Sequence, residues 1–213
     1  MARSALRRGK KPAKPYHHGD LRRALLDEAL RTIQTQGVEH LTLRTVGARL
    51  GVSRSALYRH FADKQSLLAT VGKEGFGNLR QALADAWEAN GHGRIGFEAM
   101  AKAYVQFAVA HPSHYRVMFG GFIESAAKDD LFIAEAKGAF QVLVDALIEQ
   151  QNAGDICRDD PVLMARFVWA LVHGTALLFI DGQLPEPAQR AALEPYLAER
   201  IYASIRQPTL RAK

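Results

Sequence analysis

Between Gly51 and Phe61 the chain sets two guanidinium groups (Arg54, Arg59), two hydroxyls (Ser53, Ser55), a phenol (Tyr58) and an imidazole (His60) around a thin apolar seam of Val52, Leu57 and Phe61. Leu57 and Phe61 are four residues apart and share a helix face, so Arg54, Ser55, Tyr58 and Arg59 turn outward together. The chemistry such a face offers is recognition of a nucleic acid. Arginine pairs bidentately with guanine, serine bonds to several base edges, and the Ala56 methyl suits the methyl of thymine. Tyr58 and His60 suit phosphate oxygens, contacts that position a protein without reading sequence. Thr42 and Arg44 precede this stretch, and Lys64 follows it within reach of the same strand. An ordinary solvated helix face is the alternative reading.

A second group of residues suits a different chemistry. Tyr104, Phe107, His111, Tyr115, Phe119, Phe140, Leu143, Trp169 and His173 crowd large side chains and two imidazoles onto a few helices. Singly, each reads as ordinary core. Together, aromatics with a few convergent polar groups are what a small-molecule cavity requires. Two other motifs resemble chemistry without its context. Gly91-His-Gly-Arg-Ile-Gly96 spells G-x-G-x-x-G, but a helix rather than a strand precedes it, so a flexible connector is expected there. His111 and His114 flank Pro112 and have no third ligand at helical spacing, so no metal site is expected. No nucleophile–base pair or phosphate loop has supporting context. Neither catalysis nor a cofactor is expected.

The elements that must position these residues are helical nearly throughout, since no alternating run is bounded by hairpin turns. Asp20 is expected to cap a first helix that carries Leu21, Leu25, Ala29 and Ile33 on one face and stops at Gly37. Thr42 caps a second, Leu43–Leu50, which Gly51 ends. Ser53 caps a third, reaching about His60, and Asp63 caps a fourth, reaching about Ala89. Two short helices joined by Gly51-Val52 make a helix-turn-helix. Beyond a Gly-rich break at 90–96, helices are expected at 97–110, 112–118, 130–151, 161–180 and 187–206. The chain therefore reads as all-α with about nine helices. A three-helix helix-turn-helix head at 18–64 stands on a larger helical body at 65–213, and a basic arm at 1–17, expected to be disordered, precedes both.

Charge follows the same division. Residues 1–64 hold 14 Lys/Arg against 5 Asp/Glu, and residues 65–213 hold 14 against 17, which together give the net +6. A basic first third points to a polyanion partner. The single Cys157 excludes an intrachain disulfide and fits a reducing compartment. The first twenty residues lack the apolar stretch of a signal peptide, so a cytoplasmic location is expected. Pro161–Ile180 has the length of a bilayer span, but Arg166, His173 and Thr175 argue against a membrane. A helix apolar all round must be buried all round, and one side of it needs a partner. Ala170, Gly174 and Leu178 would permit close approach of helices. Leu193, Leu197, Ile201 and Ile205 form a second stripe, and two such helices from each of two chains would build a four-helix homodimer interface.

Residues 42–68 resemble the DNA-binding head of TetR-type transcriptional regulators. The Gly51-Val52-Ser53 turn, the Leu57-Tyr58-x-His60-Phe61 core and the Asp63-Lys64-x-x-Leu67-Leu68 opening of the fourth helix match in order. The resemblance covers about residues 18–68. It implies an all-α homodimer with two heads and a ligand-binding body, and DNA contacts by Arg44, Arg54, Ser55, Ala56, Tyr58, His60 and Lys64. Gly47 departs from the family, which usually has Ala there; glycine should loosen the second helix by up to about 1 kcal/mol. In the body, Trp169-Ala-Leu-Val-His-Gly174, Ile180-Asp-Gly182 and the stretch from His111 to Phe119 are similar to a subgroup named for its Trp, His and Gly. The expected function is a sequence-specific regulator of transcription, a repressor released from a pseudo-palindromic double-stranded DNA operator by a small, largely apolar effector. The alternative is a DNA-binding regulator without such an effector, gated by a protein partner or by occupancy alone.

Overall fold

The computed structural model describes residues 18–184 and 186–206, so the basic arm at 1–17 lies outside the described residues. The described residues form nine α-helices: α1 His18–Gln36, α2 Leu43–Leu50, α3 Arg54–Tyr58, α4 Lys64–Ala89, α5 Gly93–Ala110, α6 Pro112–Phe119, α7 Asp130–Ala153, α8 Pro161–Ile180 and α9 Pro187–Ile205. A 3-10 turn, Ser125–Ala127, lies between α6 and α7.

Caps set the head. The Thr42 hydroxyl accepts the Thr45 N–H at 3.1 Å, and the Thr45 hydroxyl accepts the Thr42 N–H at 3.3 Å. Gly51 then stops α2 in the left-handed conformation, φ 67°, where glycine carries no Cβ penalty. The Ser53 hydroxyl accepts the Ala56 N–H at 3.2 Å, and Asp63 accepts the Ser66 N–H at 2.7 Å. Each cap stands where the sequence puts it. α1 begins at His18, so Asp20 lies inside it, past the expected start. α3 ends at Tyr58, two residues early: the His60 N–H bonds to the Leu57 carbonyl three residues back instead of to one four back.

Leu25, Leu26, Val46, Leu57 and Phe61 are buried together under these caps. Glu28 is buried as well, and it is paired: Arg31 lies 2.6 Å and Arg49 3.1 Å from its oxygens. A buried carboxylate without such partners would be costly. Gly47 is buried where α2 meets α3. A Cβ there would stand 3.2 Å from Leu57 Cδ2, so the missing methyl also lets Leu57 close the seam.

α4 is the central helix of the body, packed against α5, α6 and α7, while α8 and α9 pack on α5. Close approach needs small residues: a Cβ on Gly96 would lie 2.9 Å from Trp87 of α4. Gly96 therefore belongs inside α5, which begins at Gly93, four residues before the expected start. The expected flexible connector is a tight turn. Gly91, His92 and Gly93 take φ of 71°, 63° and 54° in succession. His92 alone among the described non-glycine residues has positive φ. Its ring stacks on Trp87 at 4.9 Å and bonds to Glu149 of α7 at 2.7 Å and to Glu88 of α4 at 3.1 Å. Those contacts hold a backbone conformation that otherwise favours glycine.

The core is continuous from head to body. The expected boundary at 64/65 falls in the first turn of α4, where the Lys64 ammonium donates to the Val38 carbonyl at 2.8 Å. α8 is long and apolar enough to cross a membrane by length and composition. Met164, Val168, Val172 and Phe179 bury one face of it in the protein, while Leu163 (58% exposed), Phe167 (46%), Leu171 and Leu178 line the opposite face. The stripe expected on α9 turns the other way. Ile201 and Ile205 are buried in their own protomer and Leu197 packs partly on the same core, because α9 lies across α5. The outward apolar group on α9 is Tyr196.

Candidate nucleic-acid interface and ligand cavity

Arg54, Ser55, Tyr58 and Arg59 stand exposed on α3 and its C-cap, with Arg44 exposed on α2 beside them. The Arg54 guanidinium lies 5.5 Å from the Tyr58 ring centroid, a cation–π contact that steadies both side chains before any DNA arrives. Thr42 and Ser53 are exposed, but their hydroxyls are engaged in the caps. The Ser55 hydroxyl bonds to that of Ser53 at 3.1 Å. Ala56 and His60 are only half-exposed, and Ala56 packs partly on the head core. Lys64 is half-buried and holds Val38, so it acts first as a strut between α4 and the α1–α2 loop.

The body holds a cavity of about 380 Å³ that is partly open to solvent. Of the nine aromatic-group candidates, Tyr104, Phe119, Phe140, Leu143 and Trp169 line it. Phe107, His111, Tyr115 and His173 do not. Phe107 is buried elsewhere, against the His111 ring at 5.0 Å. His111 is exposed and faces a separate polar depression with Asp27, Gln34 and His114. Tyr115 and His173 form a layer behind Tyr104. Missing from the candidates were Phe76, Leu79 and Leu83 of α4, Phe97 and Met100 of α5, and Lys128. The α4 residues share a helical face, but that spacing is the same for a cavity wall as for solid core, so nothing in the sequence set them apart.

A hydrogen-bonded chain closes one wall. Trp169 Nε1–H donates to the Tyr104 oxygen at 3.0 Å, Tyr104 and Tyr115 hydroxyls lie 2.9 Å apart, and the Tyr115 hydroxyl lies 2.6 Å from His173 Nδ1. Nδ1 must accept for the chain to run in this direction. Burial holds His173 below the ordinary histidine value, which favours the neutral ring. Burial also pushes Tyr104 up to about 12, against the hydrogen bonds from Tyr115 and Trp169, and raises Tyr115 further. Both phenols therefore keep their protons, and the chain satisfies itself.

Two family models match this sequence. One, described as bacterial regulatory proteins, tetR family, covers residues 25–71; the other, described as Tetracyclin repressor-like, C-terminal domain, covers 97–200. The chain belongs to the TetR family. The helix-turn-helix of α2 and α3 lies within the residues that the first model covers. The second description does not name the Trp-His-Gly subgroup. The HTH-type transcriptional regulator BetI of Paraburkholderia phymatum is 33% identical over 92 residues, 43% of this chain and 43% of that protein, so the match spans less than half of that relative. The HTH-type transcriptional activator FasR of Mycolicibacterium smegmatis is 27% identical over 189 residues, 85% of this chain and 82% of that one. Among solved structures, a protein of unknown function from Rhodococcus sp. RHA1 superposes with a TM-score of 0.80 at 34% identity, over 92% of this chain and 100% of its own. A tetR-family regulatory protein from Rhodococcus RHA1 gives 0.71 at 18% identity, over 88% and 98%, a likeness of fold alone.

Proposed function

We propose that this TetR-family protein is a homodimeric, operator-specific repressor, acting in the cytoplasm, whose DNA binding is released by a small, largely apolar effector in the body cavity. The head at 18–64 reads the operator. Arg44, Arg54, Ser55 and Arg59 contact base edges or phosphates there, and Thr42, Tyr58 and His60 help to position the backbone. The body at 65–213 senses the effector and pairs the protomers through the exposed apolar face of α8, with Tyr196 of α9 at its side.

The observation that carries this reading is the double role of α4. Phe76, Leu79 and Leu83 wall the cavity, and Lys64, at the other end of the same helix, holds the head. A second tie runs beside it. The Gln65 side chain donates to the Phe122 carbonyl at 3.2 Å and accepts the Glu124 N–H at 3.0 Å, so the connection leaving Phe119 is clipped to the first turn of α4. An effector that displaces Phe119 or tilts α4 moves the head with it. Dimeric helix-turn-helix proteins need their recognition helices about 34–36 Å apart, so a shift of a few ångströms should cost one half-site. The shift in affinity is limited to the effector's differential affinity for the two states.

The FasR relationship favours a second reading, in which the same switch activates transcription. Both readings share one test. DNA selected from a random pool by the protein serves as operator, and the compound found by mass spectrometry of the denatured protein serves as effector. Wild type should release the DNA on adding that compound. Leu143→Trp, which fills the cavity, should hold the DNA regardless, and Phe119→Ala should need more compound. A full response in both variants would sink the cavity as effector site.

A further inference from the structure

We infer that the cavity takes a single-chain amphiphile with one anionic end, paired with Lys128 at the mouth and held by apolar contact inside. The inference rests on the reading of this cavity as the effector site. Among the residues that line it, only Lys128 carries a formal charge. Lys128 is exposed, one residue past the 3-10 turn between α6 and α7. Its ammonium makes no ion pair or hydrogen bond among the described residues. The adjacent Asp129 is occupied: its carboxylate accepts the Phe132 N–H at 2.7 Å and lies 3.8 Å from Lys73. A lysine that lines a cavity and is itself exposed can lay its methylene stem along the apolar wall and keep its charge in water.

The inner wall offers an anion nothing. Its N–H and O–H groups are those of Trp169 and Tyr104, and each is turned into the chain that ends at His173. No free donor remains there, so a carboxylate or a second polar end buried at that depth would lose its hydration without replacement. A cationic head would meet the Lys128 charge. The arrangement that leaves no group unsatisfied is an apolar chain against Phe97, Phe140 and Trp169 with its anion at Lys128. A carboxylate and a phosphate monoester share this chemistry, because an ammonium is a point charge without the planar fork that tells them apart.

The test is calorimetric titration of the full chain with dodecanoate, dodecyl phosphate, dodecanol and dodecylammonium, each below its aggregation limit. Dodecanoate should bind wild type more tightly than dodecanol by roughly fivefold, the factor for a partly exposed ion pair. Added salt should narrow that gap. Lys128→Gln should abolish it, and Lys128→Glu should reverse it in favour of dodecylammonium. A tighter fit for dodecyl phosphate than for dodecanoate supports the proposal with a phosphorylated source, and the opposite order supports it with a free acid. Dodecanol bound as tightly as dodecanoate by wild type, or an acid preference that survives both variants, would overturn the anionic end while leaving the cavity as effector site. Failure of all four compounds to bind, or binding that Leu143→Trp does not affect, would overturn the cavity reading and this inference with it.

Discussion

In the head, α2 spans 8 residues and α3 only 5, and the start of each is held by a hydroxyl three residues before the amide it caps. In the body, α4, α7 and α8 run for 26, 24 and 20 residues, and α7 packs on both of the others, with its Phe132 against Gly72 of α4 and its Phe140 against Trp169 of α8. Helices as short as α2 and α3 do not persist alone. Caps and a small shared core must specify them, and their polar side chains are then free to face outward. The longer body helices are held by packing of their apolar faces, and here that packing leaves a void. The difference teaches that close local capping sits where DNA would be read and open space sits where a ligand would be sensed.

The strongest way to break that comparison is to empty the head core. Leu57 is 3% exposed and Leu147 of the body 0%. Leu57→Ala and Leu147→Ala should each cost about 3 kcal/mol. Leu57→Ala should abolish DNA binding at temperatures where circular dichroism still reports a helical body. A single coincident transition for both variants would show that the continuous core makes head and body one unit. Next in size, Gly174→Trp should separate the proposed dimer. A Cβ at Gly174 meets no atom within 4 Å, so the protomer itself accepts the ring while a facing helix does not. Sedimentation should show monomers at micromolar concentration, and an intact dimer would move the interface off this face.

Arg54→Ala sharpens the comparison from the head side. It should cost about 1–3 kcal/mol on selected DNA and far less on scrambled DNA, measured by titration. Equal losses on both would make Arg54 a phosphate contact. The smallest expected effect tests the body turn at His92. Hydrogen bonds that the ring donates to Glu149, then to Glu88, raise the His92 value above its ordinary 6.5. Stabilisation from this clasp is therefore complete below pH 6.5 and is lost as pH rises through the raised value. His92→Gly removes the imidazole but suits the positive φ. Its melting deficit should be largest in mildly acidic buffer and should shrink, then reverse, in mildly alkaline buffer. A deficit independent of pH would show that ring stacking on Trp87, not charge, holds the turn.

Thr42, Ser53, Gly51 and Asp63 could be placed from the sequence because capping is settled within one turn of chain, and with Leu57 buried the rest of so short a helix, Arg54, Ser55 and Tyr58, is left facing outward. Those local rules determined α2, the all-α class and the extent of α8. They could not say which aromatics wall a void. One residue along a helix turns a side chain by about 100°, so the rotation of each long helix decides what faces inward. That rotation put Tyr104 and Phe119 at the cavity and Tyr115 and His173 behind them, and it turned Ile201 and Ile205 of α9 into their own protomer. Contacts between residues distant in sequence decided the rest. Lys64 meets Val38 across 26 positions, His92 finds Glu149 across 57, and Lys128 comes to a cavity whose other walls are built from α4 to α8, pairings that no local spacing encodes.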